Sequence, residues 1–476
     1  MKKNINPVAK QNSHLKVIIY IFVFLMAAVI VNEVRFIYVE SETAINNSYN
    51  PRQEILASKN VRGNIVSKDG DLLAVTARDE SGNEKRVYPY SNLFAHVVGF
   101  STKGKTGVEY MGNMALLNSN ASMGEKIQNE LSASKNIGDT VVTTLDVDMQ
   151  TICYQALGAF DGAVIVTEPS TGNVLAMVSK PDFDPNTIKE DWAKYTSDSS
   201  SSVLLNRATQ GLYPPGSTFK IITALEYYRE NNGDVSGYHY NCNGSFSCEG
   251  DRINCFHGSN HGSEDLKKSF EKSCNSSFAN IGMSLDLKKL DKTCNDLMFN
   301  KDLKLNLTTS KSLYLLGTSA DSYDIMQTSI GQGKTLVTPL LMNMITCAVA
   351  NGGTVYEPRV IQRIENYDGI VVKEYDTKKY ATLMTEDEAL FLQDLMKGVV
   401  ENGTATKLKG KSYSAAGKTG SAEFSGNKED SHAWFTGYAP AEDPKICVTI
   451  IVEGAGSGGE YAVPIAGRIF DAYFSE

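Results

Sequence analysis

Tyr213-Pro214-Pro215-Gly216-Ser217-Thr218-Phe219-Lys220 is the stretch on which the reading of this chain turns. Two prolines and a glycine cannot continue a helix, whereas Ile221, Ile222, Leu225 and Tyr228 then recur at helical spacing. Ser217 therefore falls at a helix N-terminus, and Lys220, one turn on, lies along the same face. A serine hydroxyl is a weak nucleophile until a base takes its proton. Lys220 becomes that base only if its pKa drops well below the ordinary value of about 10.4, and burial and the positive end of a helix both push it down. The pair alone proves little, because Ser-x-x-Lys also occurs at Ser13, Ser132, Ser269 and Ser425, where a helix cap beside a solvated lysine is the expected state.

Two later stretches supply partners. Ser273-Cys274-Asn275 closes a helical segment over 266–272 and offers a hydroxyl to relay protons and an amide to hold a substrate carbonyl. Other Ser-x-Asn matches stand at Ser48, Ser58, Ser81 and Ser425, so this one in isolation is a polar helix end. Lys418-Thr419-Gly420 follows the alternating run Ser412 to Gly417 and is expected on a strand. If that strand faces Ser217, Gly420 admits a substrate backbone, while Thr419 and Ser421 take a terminal carboxylate beside the Lys418 charge. The backbone N–H groups of Ser217 and Ser421 would then form an oxyanion hole. The second Lys-Thr-Gly, at Lys105, reads as a turn.

Around these stretches the chain alternates strand and helix signals. Gly162–Thr167 and Asn173–Val178 flank Pro169-Ser170-Thr171-Gly172 as a hairpin, and the serine-rich 197–202 reads as an exposed loop. Thr338-Pro339 opens an apolar helix closed by Asn351-Gly352-Gly353. Strands are expected over 412–416, 433–438 and 446–452, followed by a helix over 463–473. Strands at both ends with helices between them give an α+β fold, a central sheet fed by both ends of the domain and flanked by helices. Ahead of it, 40–137 reads as a small strand-rich module without a chemical constellation of its own.

At the N-terminus, Lys2, Lys3, Lys10 and Lys16 precede an apolar run from Val17 to Val31 that resumes at Val34, Phe36 and Ile37. This is read as one membrane-spanning anchor with its basic tail in the cytoplasm and everything after about Glu40 outside. A cleaved signal peptide is the alternative, but no A-x-A site follows the small residues Ala27 and Ala28. The net charge is −9, of which the first 16 residues contribute +4, so the remainder is acidic and nucleic acid is not an expected partner. Of eight cysteines, Cys242, Cys248 and Cys255 cluster near His257 and His261. A Cys242–Cys255 disulfide, free thiols and a metal centre all stay open there; the Cys-x2-Cys knuckles of strong zinc sites are missing, so no metal ligand is assigned. Their redox state is left undecided.

Taken in order, Ser-x-x-Lys, Ser-x-Asn and Lys-Thr-Gly resemble the penicillin-binding protein and serine β-lactamase superfamily. The wider phrases, Tyr213 to Lys220, Gly331-Gln332-Gly333 with Thr338-Pro339, Gly417 to Glu423 and Trp434-Phe435-Thr436-Gly437-Tyr438, are similar to the transpeptidase domain of class B penicillin-binding proteins. Arg62-Gly63-x-Ile65 and Gly107-Val108-Glu109 resemble the non-catalytic pedestal of that class. The resemblance implies a tail over 1–16, an anchor over 17–38, a pedestal over 39–144 and a transpeptidase domain over 145–476. It implies Ser217 as nucleophile, Lys220 as base, Ser273 and Asn275 as relay and substrate ligand, and Lys418 with Thr419 as carboxylate binders. Ser421 stands where the family usually has threonine, which keeps the hydroxyl. The implied activity is peptidoglycan D,D-transpeptidation through an acyl-serine, blocked by β-lactam antibiotics, with stem peptides as substrates, no cofactor, and a SEDS-type glycan polymerase as partner. A β-lactamase, a D,D-carboxypeptidase and a non-catalytic penicillin sensor or scaffold are the rivals. A role in elongation, division or sporulation, the preferred stem peptide and the oligomeric state are not readable.

Overall fold

The computed structural model describes residues 7–36, 50–80, 82–197, 201–424 and 431–475. Lys2, Lys3, Ile37, Glu40, Ser48, Ser81, Ser425 and the middle of the 197–202 loop lie outside them. The chain divides after Lys59 into two units. In the first, one helix runs Pro7–Arg35, and its apolar part, Leu15–Arg35, is 21 residues long and exposed. At 1.5 Å per residue that part spans about 32 Å, enough for a hydrocarbon core of about 30 Å. The helix outruns the apolar stretch read from sequence because Leu15, Asn32, Glu33 and Arg35 continue it at both ends.

The second unit is built on a five-stranded antiparallel sheet. Its strands are β1 (Gly162–Thr167), β2 (Val174–Lys180), β3 (Ala416–Glu423), β4 (Ser431–Ala439) and β5 (Ile446–Val452), in the spatial order β3-β4-β5-β1-β2. Strands from early and late in the 145–476 stretch thus feed one sheet, as expected for the α+β fold. β1, β2 and β5 are buried at every residue, which requires cover on both faces. Of the helices α1 (Val147–Leu157), α2 (Lys220–Glu230), α3 (Leu266–Glu271), α4 (Asn275–Ser284), α5 (Pro339–Ala350) and α6 (Ala462–Tyr473), α1, α5 and α6 pack on the sheet, as does the helix Glu386–Glu401 against β3, whereas α2, α3 and α4 pack chiefly against neighbouring helices. Side-chain caps start several of them: Asp146 accepts from Met149 N–H at 2.8 Å, and Thr338 from Leu341 N–H at 3.2 Å ahead of Pro339. On the α5 side of the sheet, Asn343 accepts from Thr167 at 2.8 Å and donates to Thr449 at 3.3 Å, and Thr436 pairs with Thr346 at 2.6 Å, so the buried polar groups there satisfy one another.

The strand that carries Lys418 starts at Ala416, not at Ser412. Tyr413 and Ser414 turn their hydroxyls to Asp471 and Glu442 and do not join a ladder. A second, six-stranded sheet takes Ile65–Val66, Leu72–Arg78, Glu84–Val87 and Thr140–Thr143 from the strand-rich region, and also Ile361–Glu365 and Val371–Glu374 from far downstream. The phrases Arg62-Gly63-x-Ile65 and Gly107-Val108-Glu109 meet here. Arg62 Nε and Arg86 Nε donate to opposite oxygens of the fully buried Glu109 at 2.7 Å each. Burial pushes the Glu109 pKa up, but the two guanidinium groups outweigh it and hold the carboxyl at about 2.

Candidate active site

Gly216–Phe219 forms a 3-10 turn that runs directly into α2. With three residues per turn, positions i and i+3 eclipse, so Ser217 and Lys220 share a face. The turn is fixed from several sides. Gly216 N–H donates to Gly331 C=O at 2.8 Å, and a Cβ on Gly331 would stand 2.0 Å from Gly216 O, which is why glycine is required in the Gly331-Gln332-Gly333 phrase. Trp434 Nε1 donates to Pro214 C=O at 3.1 Å. Tyr213 Oη and Arg207 Nε both donate to Glu453 Oε1, at 2.6 and 2.7 Å.

Lys220 is fully buried, and its Nζ donates to Ser273 C=O at 2.7 Å, to Ser273 Oγ at 3.2 Å and to Asn275 Oδ1 at 2.8 Å. Lys418, also fully buried, reaches the same Ser273 Oγ at 2.9 Å and its neighbour's Thr419 C=O at 3.1 Å. Two amines from separate elements thus meet on one hydroxyl. Burial brings Lys220 down to about 8, with nearby Cys274, Cys255 and Glu264 pulling the other way. Burial, and then the like charge of Lys220, push Lys418 well below the ordinary lysine range. The pair favours holding one proton fewer than two free lysines would. The Ser217 hydroxyl has no hydrogen-bond partner among the described residues, and half-buried, it faces an open cleft. Serine–base contacts in a substrate-free site are commonly longer than in the working complex.

Ser273 owes its place to an unusual backbone. It adopts φ +54° just past α3, its N–H donating to Phe270 C=O at 3.1 Å, and Cys274 then caps α4 by accepting from Ser277 N–H. This tight corner lets both the carbonyl and the hydroxyl of Ser273 face Lys220. Asn275 is steadied from outside, its Nδ2 donating to Asn254 C=O at 3.1 Å.

The cleft, of about 670 Å³, is lined by Ser217, Ser273, Asn275, Thr419, Gly420 and Ser421 together with residues of the 252–261 loop. Ser217, Lys220, Ser273, Asn275, Lys418, Thr419, Gly420 and Ser421 therefore belong to one neighbourhood: Lys220 and Lys418 lie buried at its floor, the others form its wall. The Lys105 copy of Lys-Thr-Gly lies apart, after a turn at Lys103-Gly104. At Gly420 the room is taken by the protein itself: a Cβ would meet Pro215 O, Thr218 Cγ2 and Trp434 Cβ, each at 3.1 Å. Two contributors were not legible. Thr404 shares a 2.5 Å hydrogen bond with Thr419, and Gln332, with its amide oriented to satisfy both ends, pairs with the backbone N–H and C=O of Glu423 at 3.0 and 3.2 Å. Gln332 stood inside a quoted phrase, but Thr404 carried no signal beyond its place after a helix.

Residues 162–471 match the family model of the penicillin binding protein transpeptidase domain. The chain belongs to this transpeptidase family. Within it, residues 62–141 also match the penicillin binding protein A dimerisation domain. The transpeptidase chain is 29% identical over 434 residues to the peptidoglycan D,D-transpeptidase PbpA of Mycolicibacterium smegmatis, covering 85% of this chain and 87% of that one. Its fold is similar to the D,D-transpeptidase domain of a peptidoglycan glycosyltransferase from Eggerthella lenta, with a TM-score of 0.79, 28% identity, and 88% of this chain and 99% of that one covered. Penicillin-binding protein A of M. tuberculosis, solved as a ceftriaxone acyl-enzyme, matches equally well in fold, with a TM-score of 0.79, 27% identity and the same coverage.

Proposed function

We propose that this protein is a peptidoglycan D,D-transpeptidase that works through an acyl-Ser217 and is inactivated by β-lactams at the same serine. The observation that carries the reading is the meeting of the Lys220 and Lys418 amines on Ser273 Oγ at the base of the cleft that Ser217 faces. A carboxylate entering beside Thr419 and Ser421 favours a proton on Lys418, which leaves Lys220 the free amine. Lys220 then takes the Ser217 proton as Oγ attacks the penultimate D-alanine carbonyl carbon. The oxyanion that forms is held by the backbone N–H groups of Ser217 and Ser421. Collapse breaks the C–N bond, and the departing D-alanine amine takes the proton back through Lys220 and Ser273. The amine of a second stem attacks the ester, forms the cross-link amide and returns the proton to Ser217. Asn275 orients the acyl donor. A β-lactam follows the first half, its ring C–N bond opening in place of the peptide bond.

The site residues, and the division into tail (1–16), anchor (17–38), pedestal (39–144) and transpeptidase domain (145–476), are part of this proposal. So is the topology: the lysines ahead of an apolar helix support a cytoplasmic N-terminus and an extracytoplasmic catalytic domain. Glycan polymerisation then falls to a partner, for which a SEDS-type polymerase is proposed. The test is mass spectrometry of products from the purified protein given lipid-linked glycan and a polymerase. Cross-linked dimers support the proposal; trimmed monomers would replace it with a carboxypeptidase, and unchanged stems with a penicillin-binding scaffold. Protease added to protoplasts should digest the catalytic domain, and its full protection would overturn the topology.

A further inference from the structure

Behind the Ser273–Asn275 corner, four side chains with soft donor atoms come together. Cys242 ends a strand (Tyr240–Cys242), Cys255 follows a hairpin (Ser245–Cys248 with Asp251–Asn254), His261 precedes the strand Gly262–Glu264, and Cys274 is the N-cap of α4. Their four ligand atoms all lie within 4.8 Å of one another. Cys242 Sγ is 3.7 Å from Cys255 Sγ and 3.3 Å from His261 Nδ1, and Cys255 Sγ is 3.8 Å from Cys274 Sγ.

We propose that Cys242, Cys255, His261 and Cys274 form a tetrahedral zinc site that ties the 240–264 loop to the start of α4. Zinc–thiolate bonds of about 2.3 Å in tetrahedral geometry place sulfurs about 3.8 Å apart, the spacing of the Cys242–Cys255 and Cys255–Cys274 pairs, whereas a disulfide requires about 2.05 Å. The donor set of three cysteines and one histidine suits a closed structural zinc site. A disulfide would use two of the three thiols and leave the third and the imidazole without a purpose. The surroundings suit thiolates as well. Each sulfur accepts a backbone N–H: Cys242 from Gly244 at 3.4 Å, Cys255 from Ser276 at 3.5 Å and Cys274 from Ser277 at 3.4 Å. The Ser276 hydroxyl lies 3.1 to 3.3 Å from all three sulfurs. Outer contacts of this kind orient ligands and offset their charge. The three sulfurs are buried, and His261 reaches them from the cleft wall.

The consequence is local. Cys274 lies between Ser273 and Asn275, the two residues that hold Lys220, so a metal bond to Cys274 fixes the corner on which that contact depends. Metal content is measured without reference to transpeptidase activity, so the two readings can fail separately.

The experiment uses the full chain, purified in detergent without chelator or an added histidine tag. Elemental analysis should give about one zinc per chain. Replacement by cobalt should give the strong visible bands of a tetrahedral ion together with near-ultraviolet thiolate charge transfer. Cys255→Ser and His261→Ala should lose most of the metal, and a chelator that strips the parent should lower its melting temperature. Zinc absent even after reconstitution of the reduced protein, octahedral cobalt spectra, or intact-mass and peptide evidence for a Cys242–Cys255 disulfide in the native protein would each overturn the proposal. The cobalt spectrum is read on the unsubstituted chain, so poor folding of a variant does not blunt the test.

Discussion

Lys418 donates to the Ser273 hydroxyl at 2.9 Å, joining the edge strand β3 to the corner between α3 and α4. Lys220 reaches the same oxygen at 3.2 Å from the third element, α2. Three motifs far apart in sequence are thus connected through one side-chain oxygen, and the predictions follow from what that oxygen and its neighbours hold.

Removing the hydroxyl separates function from stability. Ser273→Ala and Ser273→Gly both lose the bridge, and penicillin acylation should fall about ten- to hundredfold in each. The left-handed backbone at Ser273, φ +54°, costs a non-glycine residue roughly 1–2 kcal/mol, so the glycine variant should be about 1 kcal/mol more stable than the alanine one. Denaturant titrations of the two beside stopped-flow acylation check this; equal stability would deny the strain, and parental rates would deny the bridge.

Acylation should depend on pH with a definite sign. The general base must be the free amine, and Lys220 is brought to about 8 by burial, so the rate constant should rise as pH increases through about 8 and level off above it. Lys220→Arg stays charged over that range and should lose both the rise and most of the rate. A rate flat between pH 6 and 9 in the parent would remove Lys220 as the base.

Carboxylate recognition predicts a shared loss. Lys418→Ala should weaken acylation by D-alanyl-D-alanine peptides and by penicillins together, each roughly ten- to hundredfold, since a charge-assisted hydrogen bond is worth about 1.5–3 kcal/mol. Thr404→Val, which removes only the 2.5 Å partner of Thr419, should act in the same direction but less strongly. Loss with one ligand class alone would show that the two do not share the subsite.

Two glycines in one phrase should behave differently on substitution. Gly331 and Gly333 both have positive φ, +79° and +72°, so alanine strains the backbone at each. Only at Gly331 would the new Cβ strike backbone, 2.0 Å from Gly216 O, whereas at Gly333 its nearest neighbour is Gln327 Cβ at 3.5 Å. Gly331→Ala must move the Ser217 turn, and a displacement of about 1 Å there can cost on the order of a hundredfold in rate. Gly333→Ala should cost about 1 kcal/mol of stability and little acylation.

Much of the fold was legible because its signals are local. Short apolar runs marked β1, β2, β4 and β5, and the Thr338-Pro339 start and Asn351-Gly352-Gly353 stop framed α5. The start of β3 was misplaced by four residues because Tyr413 and Ser414 alternate like a strand but spend their hydroxyls on Asp471 and Glu442. The downstream strands 361–365 and 371–374 could not be assigned to the sheet of 65–87, since nothing local announces that Ile361–Glu365 pairs with the distant Thr140–Thr143. At the site, residue types and order were readable, but the shared use of Ser273 Oγ by two lysines was not. Cys274 illustrates the limit best. In sequence it is only the middle of Ser-x-Asn, so the cysteine cluster holds Cys248 in its place; folding brings Cys274 to Cys255 at 3.8 Å and leaves Cys248 outside the group.

The claim at the centre is that Ser217 is the acylated nucleophile. It is tested most directly by incubating the purified protein with a labelled penicillin, digesting the adduct and locating the added mass by tandem mass spectrometry. One adduct is expected, on Ser217 within the peptide containing Tyr213 to Lys220, and none in Ser217→Ala of unchanged melting temperature. Label retained by Ser217→Ala, or mapped to another serine of the parent, would contradict it.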